Sequence, residues 1–162
     1  MPPTPEHKAT HTADRETLLD FYADHRRAVL GILEGLTDDE VASTPWPSAM
    51  SIGGIVQHLG YVERWWYSRV FEDADVELPW SDDDRDADFR LADDTGVNRL
   101  NAFYLEETQR ADAVIAGASF DDVARHPKYP LTMRWIVVHM LEETARHLGH
   151  LDLMREAIIA RR

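Results

Sequence analysis

Glu143 and His147 stand four residues apart late in the chain, flanked at helical spacing by His139 and His150, while His58 lies far upstream. Imidazole and carboxylate are donors suited to a borderline divalent cation, and side chains four apart on a helix project side by side. Glu143 and His147 can therefore grip one ion while His58 closes a third position from another helix. Two imidazoles and one carboxylate leave a coordination position free for water or substrate. That is the pattern of catalytic rather than structural zinc, and nickel and iron(II) accept the same donors. Spacing alone does not separate His147 from His150 as the second imidazole donor.

The grip requires these side chains to face a bundle interior. At about 100° per residue, Ile136, His139, His147, His150 and Met154 all fall within about 40° of Glu143. The sector begins and ends apolar, yet it carries polar groups where packing asks for Leu or Val. A buried carboxylate among imidazoles needs a partner or an ion. On the upstream helix His58 lies about 40° from Val62 and about 60° from Ile55, again on the inward side. Taken singly, His25 and His139 read as hydrogen-bonded core groups, and His7, His11 and His126 as solvated groups of the arm or loops. Trp65 and Trp66 read as packing groups, and the Asp82, Asp83, Asp84 run as a solvated loop.

The elements that must position these groups follow from apolar periodicity. Residues 1–12 hold three prolines and predict a flexible N-terminal arm before one domain over 13–162. A first helix is predicted over 13–36 on Leu18, Tyr22, His25, Val29, Leu33 and Leu36, followed by a helical turn at 38–42. Ser51 caps a second, running to 72 on Ile52, Ile55, Leu59, Val62, Trp66 and Val70. The acidic stretch 73–94 has no sustained period and predicts a long crossover. A third helix fits 95–116, and Thr132 caps a fourth running to 159. No strand alternation or solenoid repeat is present, so the expectation is an all-α four-helix bundle with long crossover connections. Val137, Leu141, Leu148 and Ile159 form a second apolar face on the last helix, which a homodimer contact would cover.

The chain has no cysteine, which excludes disulfides, Cys-ligated zinc and a protein thiol nucleophile. A net charge of −13 argues against nucleic acid and acidic membrane surfaces as partners. No run reaches the roughly 18 apolar residues of a membrane span, and the N-terminal residues lack a secretion signal, so a cytoplasmic location is expected.

The segments SIGGIVQHLGYVERWWYSRVF and LTMRWIVVHMLEETARHLGHLDLMREAI resemble the two signature segments of the DinB-like superfamily. These are metal-binding four-helix bundles that include the bacillithiol and mycothiol S-transferases, and the order of elements agrees over nearly the whole chain. The usual pattern has a histidine on the second helix and a His-x-x-x-His pair on the fourth, which falls at positions 143 and 147. Glu143 stands in place of the first of that pair, as in the mycothiol-dependent maleylpyruvate isomerase branch, which also uses His, Glu and His. The resemblance thus implies His58, Glu143 and His147 as ligands of a divalent metal, Zn²⁺ foremost and Ni²⁺ or Fe²⁺ otherwise. It places His150 just outside the ligands or facing the substrate, and His139 is a candidate for the same role.

What the resemblance implies chemically is a mycothiol-type S-transferase, in which the metal activates a low-molecular-weight thiol for attack on an electrophilic small molecule. With no cysteine in the chain, the sulfur must arrive with the cosubstrate. Two other readings stand beside it. One is a non-catalytic, stress-linked metal protein whose ion ties two helices together. The other is a metal-dependent hydrolase with Glu142 or His150 as proton carrier.

Overall fold

The structure, a computed structural model, describes residues 13–46 and 50–162. The arm expected over 1–12, with His7 and His11, lies outside the described residues. Helix α1 spans Asp14–Ile32. It ends before the expected Leu36 because Gly35 turns the chain with φ +72, a conformation that costs glycine little. Leu33 and Leu36 are buried all the same. Arg155 closes this end by donating to the carbonyls of Ile32 and Glu34, at 3.0 and 2.7 Å. The short α2, Asp38–Ala42, starts on a reciprocal capping box between Thr37 and Glu40.

Ser51 caps α3, Ile52–Glu63, by accepting from the Gly54 N–H at 3.0 Å. The helix does not stop at Glu63 but continues as π-helical turns over Arg64–Phe71. Helix α4 spans Val97–Ala116, and its Val97 N–H donates to Asp38 Oδ1 at 2.8 Å. Helix α5 spans Met133–Ile159, with Thr132 capping the Trp135 N–H as expected. Apart from an isolated bridge between Val123 and Thr132, the described residues contain no strand pairing. None of their helices is long and apolar enough to cross a membrane.

Helix α1 packs along α5 and α3 along α4, while α3 also meets α5 and α1 meets α4. This leaves α1 and α3 on one diagonal of the bundle and α4 and α5 on the other. One apolar core gathers Val29, Leu33, Ile52, Ile55, Leu59 and Leu151, and a second gathers Tyr22, Tyr67, Val70, Ile136, Val137 and Met140. An ion pair crosses the α1/α3 diagonal. Arg26 donates to both oxygens of Glu63, at 2.8 and 2.6 Å, and stacks on the Tyr22 ring at 3.7 Å. Tyr22 donates to the same carboxylate at 2.7 Å. Arg26, not the expected His25, thus takes the inward place on α1. His25 is only half-buried, its Nδ1 2.6 Å from the Phe21 carbonyl oxygen.

Two other expectations change with packing. His126 is buried rather than solvated, because the loop carrying it pairs with the end of α3. Its N–H donates to Val70 O at 3.1 Å, and its Nδ1 accepts from the Lys128 N–H at 3.2 Å. The second apolar face of α5 is largely covered within the chain. Val137 is buried, and Leu141 and Leu148 pack against the two cores, leaving Ile159 exposed.

Candidate metal centre

His58 enters the site from α3, and Gly54 and Gln57 of the same helix fix its surroundings. Gly54 admits the backbone of a short 3₁₀ turn, Ala87–Phe89, so closely that a Cβ there would sit 2.3 Å from the Phe89 carbonyl oxygen. Gln57 donates to the carbonyls of Asp88 and Arg90, at 2.6 and 3.1 Å. The turn thus held presents two side chains to His58. Asp88, only 2% exposed, lies with Oδ2 2.6 Å from His58 Nδ1, and the Phe89 ring stacks on the imidazole at 4.2 Å. With its Nδ1 turned to Asp88, His58 directs Nε2 to the interior, where it can carry a proton to Glu143 or, without that proton, offer a lone pair to a cation.

Helix α5 supplies the other side. Glu143 and His147 occur one turn apart, and Glu143 Oε1 lies 3.1 Å from His147 Nε2 and 3.4 Å from His58 Nε2. One ligand atom from each of the three residues lies within 4.8 Å of the others, so the group could hold a metal ion. Hydrogen bonding to His147 and then to His58 holds the Glu143 carboxyl well below the usual carboxylate range, against the opposing effect of burial. Burial disfavours the charged form of His58. Its hydrogen bonds to Asp88 and Glu143 outweigh that effect and raise its pKa above the ordinary imidazole value.

Two observations test whether a divalent ion suits this place. His147 Nδ1 and Asp88 Oδ1 are buried with no hydrogen-bond partner among the described residues, so the polar groups gathered here are not fully satisfied by one another. The donor set of two nitrogens and one carboxylate oxygen also matches zinc, nickel or iron(II), and a cation can replace the protons that the carboxylate otherwise draws onto the imidazoles. The residues present fit a divalent metal.

The remaining sequence candidates part company. His139 does not join the ligand cluster but lines a cleft of about 760 Å³ together with His58 and Glu143. Its ring stacks on Trp135 at 5.0 Å and meets Trp66 edge-on at 4.9 Å. His150 is exposed, its ring 5.6 Å from that of His147, and it does not line the cleft. Glu142 is also exposed and pairs with Arg146 at 2.7 Å, so neither proton carrier of the hydrolase reading reaches the cleft. Trp65 and Trp66 pack against the second core as expected, and their partly exposed sides also line the cleft with Trp80 and Tyr129.

The π-helical turns are the cause. They rotate the chain less per residue than an α-helix, so Tyr67, Val70 and Phe71 turn into the core while Trp65 and Trp66 remain at the cleft. Sequence reasoning also missed Asp88 and Phe89. The signal was faint, an apolar Phe89 and Leu91 pair within an acidic run.

A family model described as mycothiol-S-transferase matches residues 17–160. A solved structure, described as the conserved protein of a locus from Enterococcus faecalis, superposes with a TM-score of 0.72 at 13% identity. The match covers 93% of this chain and 99% of that one, and at such identity it speaks to the fold alone. No curated protein matches the chain.

Proposed function

The chain belongs to the mycothiol-S-transferase family of the DinB-like superfamily, and from that premise we propose that it is a divalent-metal-dependent thiol S-transferase with His58, Glu143 and His147 as ligands. The observation that carries the reading is the convergence of these three side chains, two of which, His58 and Glu143, line an open cleft. A divalent cation in this set, Zn²⁺ foremost and Ni²⁺ or Fe²⁺ otherwise, supplies the positive charge that favours the deprotonated form of an incoming low-molecular-weight thiol.

The chain's own residues do the rest. Asp88 holds the proton on His58 Nδ1 and so orients the ring. Phe89, stacked on that ring, shields it from water. His139, the imidazole of the cleft outside the ligand set, accepts the thiol proton. The sulfur electron pair then forms the S–C bond to the electrophilic carbon, and the leaving group departs with its own pair. Mycothiol, the thiol in the family's name, is the first candidate cosubstrate.

The test is conjugation of monochlorobimane to mycothiol and to other low-molecular-weight thiols by the zinc-loaded protein. The proposal expects chelator-sensitive turnover with at least one thiol, and a drop of about a hundredfold in kcat for His139→Gln with its metal content retained. Absence of metal-dependent conjugation with every thiol would refute it. The alternative of a purely structural ion is disfavoured by the open cleft beside a ligand group that numbers three among the described residues.

A further inference from the structure

We propose that the wall of the cleft formed by Trp65, Trp66, Trp80 and Tyr129 is a binding site for the flat, apolar part of the electrophile, so that the favoured substrates are aromatic or similarly planar. Identifying that ligand with the electrophile rests on the transferase reading. The site itself rests on geometry.

Three tryptophans and a tyrosine line one cavity together with Leu78 and Val62, and none of the four aromatics is fully buried. Their rings are braced against one another. Trp65 meets Trp80 at 6.1 Å with the planes 70° apart and Tyr129 at 5.9 Å with the planes 80° apart, while Trp66 meets Tyr129 at 6.3 Å and 72°. Such edge-to-face contacts hold the rings without a ligand, so little side-chain entropy remains to be lost on binding.

The π-helical turns that bring two consecutive tryptophans to the cleft are a rare backbone form, and such turns recur at functional sites. Packing uses only one side of these rings: Trp65, Trp66 and Tyr129 rest against the second core, whose buried members from the same segment are Tyr67, Val70 and Phe71, and their remaining surface is left to the cleft.

The chemistry of this wall selects between the two reactants. A sugar-bearing thiol such as mycothiol carries many hydroxyls, each needing a hydrogen-bond partner when taken out of water. The indole N–H groups and the Tyr129 hydroxyl offer few, so such a reactant would turn instead to Ser81, Asp82 and Arg85, which line the same cavity. A flat apolar ring loses nothing by the exchange and gains contact with several aromatic faces. Glu143 and His58 line the same cavity, so a reactant seated on the wall shares one space with the ligand cluster.

The test is equilibrium binding, which needs no turnover. Indole is titrated into the full-length protein by calorimetry, beside cyclohexanol and methyl α-D-glucoside, with Trp66→Leu and Trp80→Leu as variants. Trp80 lies in the loop between α3 and α4 rather than in either core, so its variant keeps the fold. The expected result is saturable indole binding at least about tenfold tighter than either alternative, weakened about fivefold or more in each variant. Monochlorobimane without thiol should displace the indole, and the chain has no cysteine for it to alkylate. Glucoside binding as tight as indole, or both variants binding indole within about twofold of the parent, would overturn the proposal. If indole binds as expected but no thiol is conjugated, the transferase reading fails and the aromatic site stands.

Discussion

Asp88 gives His58 an outer hydrogen bond that His147 lacks among the described residues, and this asymmetry sets what each would contribute to the proposed metal site. His58 is held in one tautomer by the 2.6 Å contact of its Nδ1 with Asp88, whereas His147 Nδ1 is buried without a partner. Replacing such an outer carboxylate typically lowers metal affinity by about 10- to 100-fold. Asp88→Asn, which keeps the shape of the side chain, should therefore weaken zinc binding by about that factor in a competition titration with a chromophoric chelator. An unchanged affinity would show that Asp88 has no part in orienting the ligand. The candidate donors were legible in the sequence because Glu143, His147 and His150 break an apolar helical sector at regular spacing, while the choice of His147 over His150 came from the family resemblance. Asp88 was not, since it lies among many similar acidic residues in a stretch with no period, and only the fold singles it out.

The elements that carry these residues show where periodicity succeeds and where it misleads. The caps Ser51 and Thr132, the helical turn at Asp38–Ala42 and the course of α4 and α5 followed from apolar spacing and capping chemistry. The π-helical turns did not, because a stripe drawn at 3.6 residues per turn assigns Trp66 to the core and passes over Tyr67. Arg26 and Glu63 lay on the inward stripes, four residues from Tyr22 and Leu59, but a buried ion pair requires two helices to be placed together before it can be recognised. Glu63 is 1% exposed, and removing one member of such a pair leaves an uncompensated buried charge. Glu63→Ala should destabilise the protein by about 3–5 kcal/mol in urea unfolding. Asp112→Ala, which frees a largely exposed partner of the same arginine, should cost under about 1 kcal/mol. Equal costs would remove the pair from the account of the core.

A pH-dependent clasp joins α2 to the residues after α5. Glu40 accepts hydrogen bonds from Arg162 and from the Thr37 N–H, each at 2.9 Å. The Arg162 contact first, and the Thr37 contact second, lower its pKa to about 2. A carboxyl depressed in the folded state stabilises above its unfolded pKa, and that contribution is lost as pH falls through the folded value. The difference in Tm between the parent and Glu40→Gln should therefore be full at pH 6. It should shrink from about pH 4.3 downward, towards the folded value of about 2. A difference that persists unchanged through that window would contradict the clasp.

At the scale of the whole molecule, the site joins helices that belong to different pairings. His58 lies on α3 and Glu143 and His147 on α5, while α3 has α4 and α5 has α1 as principal packing partner. An ion bound between them would link the two halves of the bundle, and removing it would lower stability according to the affinity it had. The bundle class and three inward-facing donors were legible in the chain. The cleft was not, because its wall comes from π-helical turns and from loops around Trp80 and Tyr129 that carry no period. The most direct measurement is the metal content of untagged protein by elemental analysis, beside His58→Ala, Glu143→Ala and His147→Ala. The account predicts about one divalent ion per chain in the parent and less than about a tenth of that in each folded variant. Equal metal content in parent and variants, or a parent that retains no divalent metal when supplied with it, would contradict the account.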